Sequence, residues 1–426
     1  MTTVLKYISI TLLLIILWVV SIYYATDNGW LHSPITTQQN SEEFVFSVHK
    51  EIKKEFAGTM AMALFENGKL VKESFYDKNE KVNRNTIFQV ASLSKLVSAL
   101  GVMRLVQEGK IELDKPVNIY LKRWKLPSST FDNNEVTVRR LLSHTGGLTD
   151  GLGYSGFTNE TDLQTLEESL NRAKDADFGK DGQIQIGVLP GSEWRYSGGG
   201  FTLLQLLIEE VSNTSFDNYM RAEIFKPLSM HSSFFEWNES YKDRLCDFYH
   251  ENGTLSQHRY YTAQAASGLY TTLADLEKLF YFFDGGDGGQ SPLSTELLRS
   301  MWQAEAKSLG ANIYGLGTFL YTEIENGEYI IGHDGKNNPP INSAFRYNPI
   351  TNSGIVILTT GSNDFATRIA CDWVFVKTGK IDALLFLMQL DKMMQIMVFG
   401  SIVILALMLL IVLLKRNPQR LKLIKR

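Results

Sequence analysis

Two uncharged apolar runs, one near each end, most constrain what this 426-residue chain can fold into. Residues 7–24 read YISITLLLIILWVVSIYY, and residues 393–414 form a second run with no charged side chain. Each has about the 20 residues a helix needs to cross a hydrocarbon core of roughly 30 Å. Trp18, Tyr23, Tyr24 and Trp30 suit the aromatic belt of a membrane interface. For the first run a cleaved signal peptide is the rival reading, but its exit, Ile-Tyr-Tyr-Ala, lacks small residues at alternate positions. For the second run a buried core helix is the rival. That reading is disfavoured because the run is apolar on every face and stops at KRNPQRLKLIKR, whose only charges are positive. Lys6 and this tail put cations at both termini, so both are expected in the cytoplasm and the middle outside it. The expected organisation is a cytoplasmic N-terminus (1–6), a transmembrane helix (7–24), a linker (25–41) and one large domain (42–380). A connector (381–392), a second transmembrane helix (393–414) and a basic cytoplasmic tail (415–426) complete it.

The middle of the chain excludes several classes of function. Net charge is only -4 and no basic stripe occurs, so nucleic-acid binding is not expected. Cys246 and Cys371 lie far apart, without C-x-x-C spacing or clustered histidines, so no metal site is expected and a disulfide between them is left open. Two helices without an internal charge offer no conduction path. N-x-[ST] sequons at Asn159, Asn213, Asn238 and Asn252 matter only in a eukaryotic secretory pathway.

Local patterns suggest an α+β domain. Residues 38–55 read as a polar linker running into an amphipathic helix that carries Phe44, Phe46 and Val48. Residues 59–64 and 70–75 flank Glu66-Asn67-Gly68, the strongest short signal for a tight hairpin. Residues 92–107 have apolar side chains at helical spacing and end at Gly109. Residues 116–230 read as mainly helical, and strands return at 317–323, 329–333, 343–347 and 354–360, followed by a helix over 364–377. Strands at both ends with helices between them predict one antiparallel sheet flanked by helices, a mainly helical lobe, and a cleft between the two.

Ala91-Ser92-Leu93-Ser94-Lys95 opens the helix after the hairpin. Residues three apart share a helix face, so the Ser92 hydroxyl and the Lys95 amine project together. A lysine accepts a proton only where desolvation or nearby positive charge lowers its pKa. A second Ser-x-x-Lys, Ser47-Val48-His49-Lys50, lies in a charged helix and is expected to be a solvated surface. Two further runs bear on Ser92. Tyr196 sits in Pro190-Gly-Ser-Glu-Trp-Arg-Tyr-Ser-Gly-Gly-Gly200, a glycine-rich bend, and Ile331-Gly332-His333-Asp334-Gly335 ends a strand at a glycine that permits close backbone approach.

With Arg140-Leu-Leu-Ser-His-Thr-Gly-Gly-Leu148 and Ala266-Ser-Gly-Leu-Tyr-Thr-Thr-Leu-Ala-Asp275, these motifs resemble the serine β-lactamase and penicillin-binding-protein superfamily. The likeness is to its class C β-lactamase-related branch of carboxypeptidases, aminopeptidases and esterases, over roughly residues 42–380. The resemblance implies the β-lactamase/transpeptidase-like fold and an acyl-enzyme on Ser92, with Lys95 and Tyr196 moving the proton and either of them as the base. It also implies an oxyanion hole of the Ser92 and Lys336 backbone N–H groups, and substrate contacts from His333, Gly335 and Gly198. No cofactor is implied. The two remaining motifs are expected to be scaffold, and His144 structural. Gly198 departs from the family's Tyr-x-Asn and removes a side-chain amide, and Lys336-Asn-Asn-Pro-Pro340 is bulkier than usual after His-x-Gly. The expected partners are the membrane and a small-molecule or peptide substrate, namely a D-amino-acid peptide, a β-lactam or an ester, and oligomeric state is left open. The alternative is a non-catalytic penicillin-sensing or cell-wall-binding module that retains the fold.

Overall fold

The computed structural model describes residues 2–77, 81–285 and 291–416, so residues 417–426 of the expected basic tail lie outside the described residues. Helix α1 (Thr2–Asp27) is followed by α2 (Ser41–Glu55), whose first turn is capped by the Asn40 side chain accepting from the Glu42 N–H. Strands β1 (Met60–Glu66) and β2 (Lys69–Tyr76) form the expected hairpin, with Asn67 and Gly68 both at positive φ, 50° and 71°. That pair of angles matches the right-handed twist of the strands it joins.

The chain then builds its helical side. It comprises α3 (Ser94–Gln107), α4 (Val138–Leu142), α5 (Leu166–Arg172), α6 (Gly198–Ser212), α7 (Phe216–Met220), α8 (Gln264–Ser267), α9 (Leu273–Phe283) and α10 (Thr295–Ser300). Short pairs β3 (Ile87–Gln89) with β6 (Tyr270–Thr272), and β4 (Phe248–Tyr249) with β5 (Leu255–Ser256), stitch its loops together. Strands β7 (Ala306–Ser308), β8 (Ala311–Tyr314), β9 (Phe319–Glu323), β10 (Tyr329–Asn337), β11 (Ile341–Asn348) and β12 (Ser353–Thr360) complete the main sheet. Helices α11 (Phe365–Thr378) and α12 (Ala383–Arg416) end the described chain.

The main sheet is antiparallel in the order β2-β1-β12-β11-β10-β9-β8-β7, so the N-terminal hairpin closes against the last strand, as its position in the sequence predicts. Strand β1 shows why the two ends of the domain must meet. Met60, Met62 and Leu64 face α2 and α11 through Phe44, Val48, Ile369 and Trp373, while Ala61, Ala63 and Phe65 face the helical side through Phe280. Both faces of this strand are buried, so it has to sit between two layers.

One expectation changes, and two open points are filled in. Ser47 is buried beneath α2, whereas Lys50 of that second Ser-x-x-Lys is exposed and its amine lies over the Phe46 ring. The periodicity that buries Phe44 and Val48 turns Ser47 inward as well. Cys246 and Cys371 are both free and buried, so no disulfide joins them. The stretch expected as a connector is helical from Ala383, because Asp382 caps it by accepting from the Leu384 N–H at 2.8 Å. Helices α1 and α12 pack together, with Trp18 filling the space beside Gly400 and its indole N–H donating to the Met397 carbonyl at 3.3 Å. Their outward faces are exposed Leu, Ile and Val, and both helices are long and apolar enough to cross a membrane.

Candidate active site

Ser92 is set by a backbone turn. Ala91 stands at φ 47°, a left-handed conformation disfavoured for a residue with a Cβ. The 3₁₀ turn Ala91–Leu93 that follows leads directly into α3. This turn is clamped from two sides. The Ser343 hydroxyl donates to the Val90 carbonyl at 2.7 Å, and the Ser94 hydroxyl donates to the Ala91 carbonyl at 2.5 Å while accepting from the Leu269 N–H. Gly335 is required here, since a Cβ on it would lie 1.9 Å from the Val90 carbonyl oxygen. Strand β10 and the turn carrying Ser92 therefore run in direct contact.

Lys95 is 1% exposed, and its Nζ donates to Ser92 Oγ at 3.1 Å and to the Ala266 carbonyl at 2.8 Å. Burial lowers its pKa to about 7, against the opposing pull of Asp150 and Asp177. At that value the amine loses its proton near neutrality and its lone pair becomes available to the Ser92 hydroxyl. The ammonium stacks over the Tyr196 and Phe201 rings, 5.0 and 5.7 Å from their centroids. Tyr196 is half-buried and lines the same cavity as Ser92; burial raises its pKa, so it remains a phenol at neutral pH.

The two motifs expected as scaffold each touch this centre. Helix α8, which opens the Ala266 to Asp275 motif, turns its last carbonyls toward α3, so Ala265 accepts from Ser98 and Ala266 from Lys95. In the other motif, His144 sits at φ 57° and holds the Tyr196 segment. Its Nδ1 accepts from the Ser197 N–H at 3.2 Å, its carbonyl accepts from the Arg195 N–H, and its ring packs 4.4 Å from that of Tyr196. His144 positions the tyrosine and is kept neutral by burial and by Lys95.

His333 is fully buried. Its Nδ1 donates to the Asp334 carbonyl at 2.6 Å, and its Nε2 accepts from the Tyr314 hydroxyl at 3.0 Å. Burial first, then the charge of Lys95, lower its pKa to about 3, so it is neutral where a lysine would be charged. Pairing of β9 with β10 stops at Gly332, which leaves the edge of β10 from His333 onward unpaired on the β9 side. Ser92, Tyr196, His333, Gly335 and Lys336 all line a cavity of about 1050 Å³, with Lys336 exposed at its rim.

Gly198 is the exception and requires a correction. It does not line the cavity: its N–H donates to the Leu152 carbonyl at 2.8 Å, and a Cβ would lie 2.3 Å from that oxygen. The chain therefore has no room for an asparagine there. Asp150 was missed by the sequence reading. Buried beneath the Tyr196 segment, it accepts two contacts from the Ser197 hydroxyl, at 2.8 and 2.9 Å, and Ser197 in turn caps α6. Trp194, Tyr314 and Phe319 were missed too. They form an aromatic wall around Tyr196 and His333, and only the Trp194-Arg-Tyr196 adjacency hinted at it.

The family model described as Beta-lactamase matches residues 50–374. Protein flp of Staphylococcus aureus is 24% identical over 349 residues, 78% of this chain, and the chain spans 66% of that relative's length, just under two thirds. The octameric penicillin-binding protein homologue from Pyrococcus abyssi superposes with a TM-score of 0.66 at 24% identity, covering 80% of this chain and 78% of that one. A β-lactamase/D-alanine carboxypeptidase from Pseudomonas syringae superposes with a TM-score of 0.62 at 17% identity, covering 78% and 98%. The two structures share the fold, and the match over residues 50–374 shows that this chain belongs to the Beta-lactamase family.

Proposed function

We propose that the chain is a membrane-anchored, extracytoplasmic serine hydrolase that forms an acyl-enzyme on Ser92 and releases it to water. The single observation carrying this reading is the buried Lys95 amine, 3.1 Å from Ser92 Oγ, with its pKa lowered to about 7. As a free amine, Lys95 keeps one N–H on the Ala266 carbonyl and takes the Ser92 proton as Oγ attacks the substrate carbonyl. The oxyanion is assigned to the backbone N–H groups of Ser92 and Lys336. Tyr196, a phenol at neutral pH, gives its proton to the departing group and is reprotonated by the Lys95 ammonium. Water then attacks the acyl carbon, its proton returning along the same path, and Ser92 is regenerated.

Substrates in reach of this chemistry are D-amino-acid peptides, β-lactams and esters. The membrane anchoring and its orientation rest on the two apolar helices and the cations beside them. Labelling of the full chain by a fluorescent fluorophosphonate or β-lactam, lost in Ser92→Ala, is the expected result; a folded wild type that takes up neither label refutes it. Release rate separates an enzyme from a sensing module, because a sensor holds its acyl group for hours.

A further inference from the structure

The cavity around Ser92 does not end within the catalytic domain. Its lining continues past Trp194, Ile313 and Phe319 to Leu384 and Leu387, which belong to the first turns of α12, the helix read as a membrane span. The same cavity also has polar lining, with Glu251, Asn252 and Asn363. The active-site cleft is therefore apolar where the membrane helix lines it and carries polar groups elsewhere in its lining.

Helix length places this apolar end. Counting back from Lys415, the ~20 residues that cross a hydrocarbon core of ~30 Å reach the neighbourhood of Met393 to Gln395. Leu387 stands six to eight residues above that boundary, or about 9–12 Å at ~1.5 Å per residue, the depth of a lipid headgroup layer. Tyr23 meets Phe386 edge-on with ring centroids 5.9 Å apart, and Tyr24 packs against Trp30, which is 70% exposed. Tyr and Trp concentrate at the headgroup level of membranes. Leu387 and Met388 are also exposed, 45% and 44%, although they belong to a part of the helix above the hydrocarbon core.

The junction is tied to the catalytic strand. Asp382, which caps α12, is fully buried and accepts from Arg346 Nε at 2.9 Å. The same guanidinium pairs with Asp334, the residue between His333 and Gly335, and Asp334 also accepts from Tyr321 at 2.6 Å and from Thr367 at 2.5 Å. The His32 ring contacts Asp372 on α11 at 2.7 Å and Gln389 on α12 at 3.3 Å. Cleft and helix thus keep a fixed relation, so the distance from Ser92 to the membrane surface is set by the fold.

We infer that the substrate is a membrane amphiphile: its own hydrocarbon chain holds it in the bilayer, and it carries its scissile carbonyl on the headgroup. The apolar stem enters along Leu387 and Leu384, the carbonyl reaches Ser92, and the polar remainder extends toward Asn252 and Asn363. This inference rests on the proposed hydrolase and membrane readings and names the substrate class of that same site.

The test uses the full chain reconstituted in phosphatidylglycerol/phosphatidylcholine vesicles. One probe is phosphatidylglycerol acetylated on its headgroup glycerol, and the other is the matching water-soluble acetylated glycerophosphoglycerol. The expected kcat/KM ratio, lipid probe over soluble probe, is about tenfold or more in the wild type. It falls about tenfold in Leu387→Gln and is kept in Leu387→Met; residue 387 is half exposed, so both variants fold. A wild-type ratio near one, or a ratio that Leu387→Gln leaves in place, overturns the inference while Ser92 labelling leaves the hydrolase reading standing. Absence of both labelling and turnover overturns the two together.

Discussion

Lys95→Met tests the physical basis of the site through stability as well as rate. Burial takes the Lys95 pKa from 10.5 to about 7. At about 1.4 kcal/mol per pH unit, holding this ammonium in the protein costs about 5 kcal/mol. At pH 6.5 the folded chain sheds part of that cost by releasing some of the proton, leaving about 4–5 kcal/mol. Between pH 7 and 10.5 the unfolded lysine binds a proton that the folded one does not, so wild-type stability rises with pH across this window. Methionine fills the same volume without the charge but leaves the Ala266 carbonyl without its partner, a loss of about 1–3 kcal/mol. The variant is therefore expected to be more stable than wild type by about 2–3 kcal/mol at pH 6.5, and the difference should vanish near pH 9.5. Thermal unfolding of the full chain in detergent at the two pH values measures it, with a Tm gain of about 5 °C at the lower pH. Ester hydrolysis is lost in the variant at both. A stability difference that does not change with pH refutes a Lys95 titrating near 7, and with it the assignment of Lys95 as the base.

The same titration predicts that wild-type kcat/KM for a neutral ester climbs with pH and levels off above about 7; a profile flat from pH 5 to 9 contradicts it. Asp150→Asn removes a charge that holds the Lys95 pKa up, so the inflection of that profile should move toward acid, read from the pH–rate curve. Tyr196→Phe keeps the ring against His144 and removes the relay, so kcat/KM should fall about 10²- to 10⁴-fold with Tm little changed. Gly198→Asn would restore the family's side chain but force a Cβ to within 2.3 Å of the Leu152 oxygen, so its Tm should drop and no gain in β-lactam acylation should appear.

Much of this protein was legible in local patterns. The Asn67-Gly68 hairpin, the late strands and the apolar helices are each specified by short-range physics: turn angles, side-chain alternation and hydrophobic length. Ser92 and Lys95 were legible as well, since two residues three apart in a helical turn need no tertiary knowledge to be placed together. Tyr196 and His333 could be joined to them only through resemblance, because they lie more than one hundred residues away in the chain. The bend at Gly198 was visible, but its confinement by Leu152 was not.

By itself the sequence determined the Ser92 and Lys95 pair, the hairpin, the individual strands and two apolar helices, because each is written in contacts between near neighbours. Only the tertiary structure decided that Lys95 is dry enough to lose its proton near neutrality, that Ala266 and His144 contact Lys95 and the Tyr196 segment, and that α12 walls the cleft. Desolvation and cavity walls are sums over residues distant in sequence, such as Asp150, Tyr314 and Leu387, and no local pattern encodes such a sum.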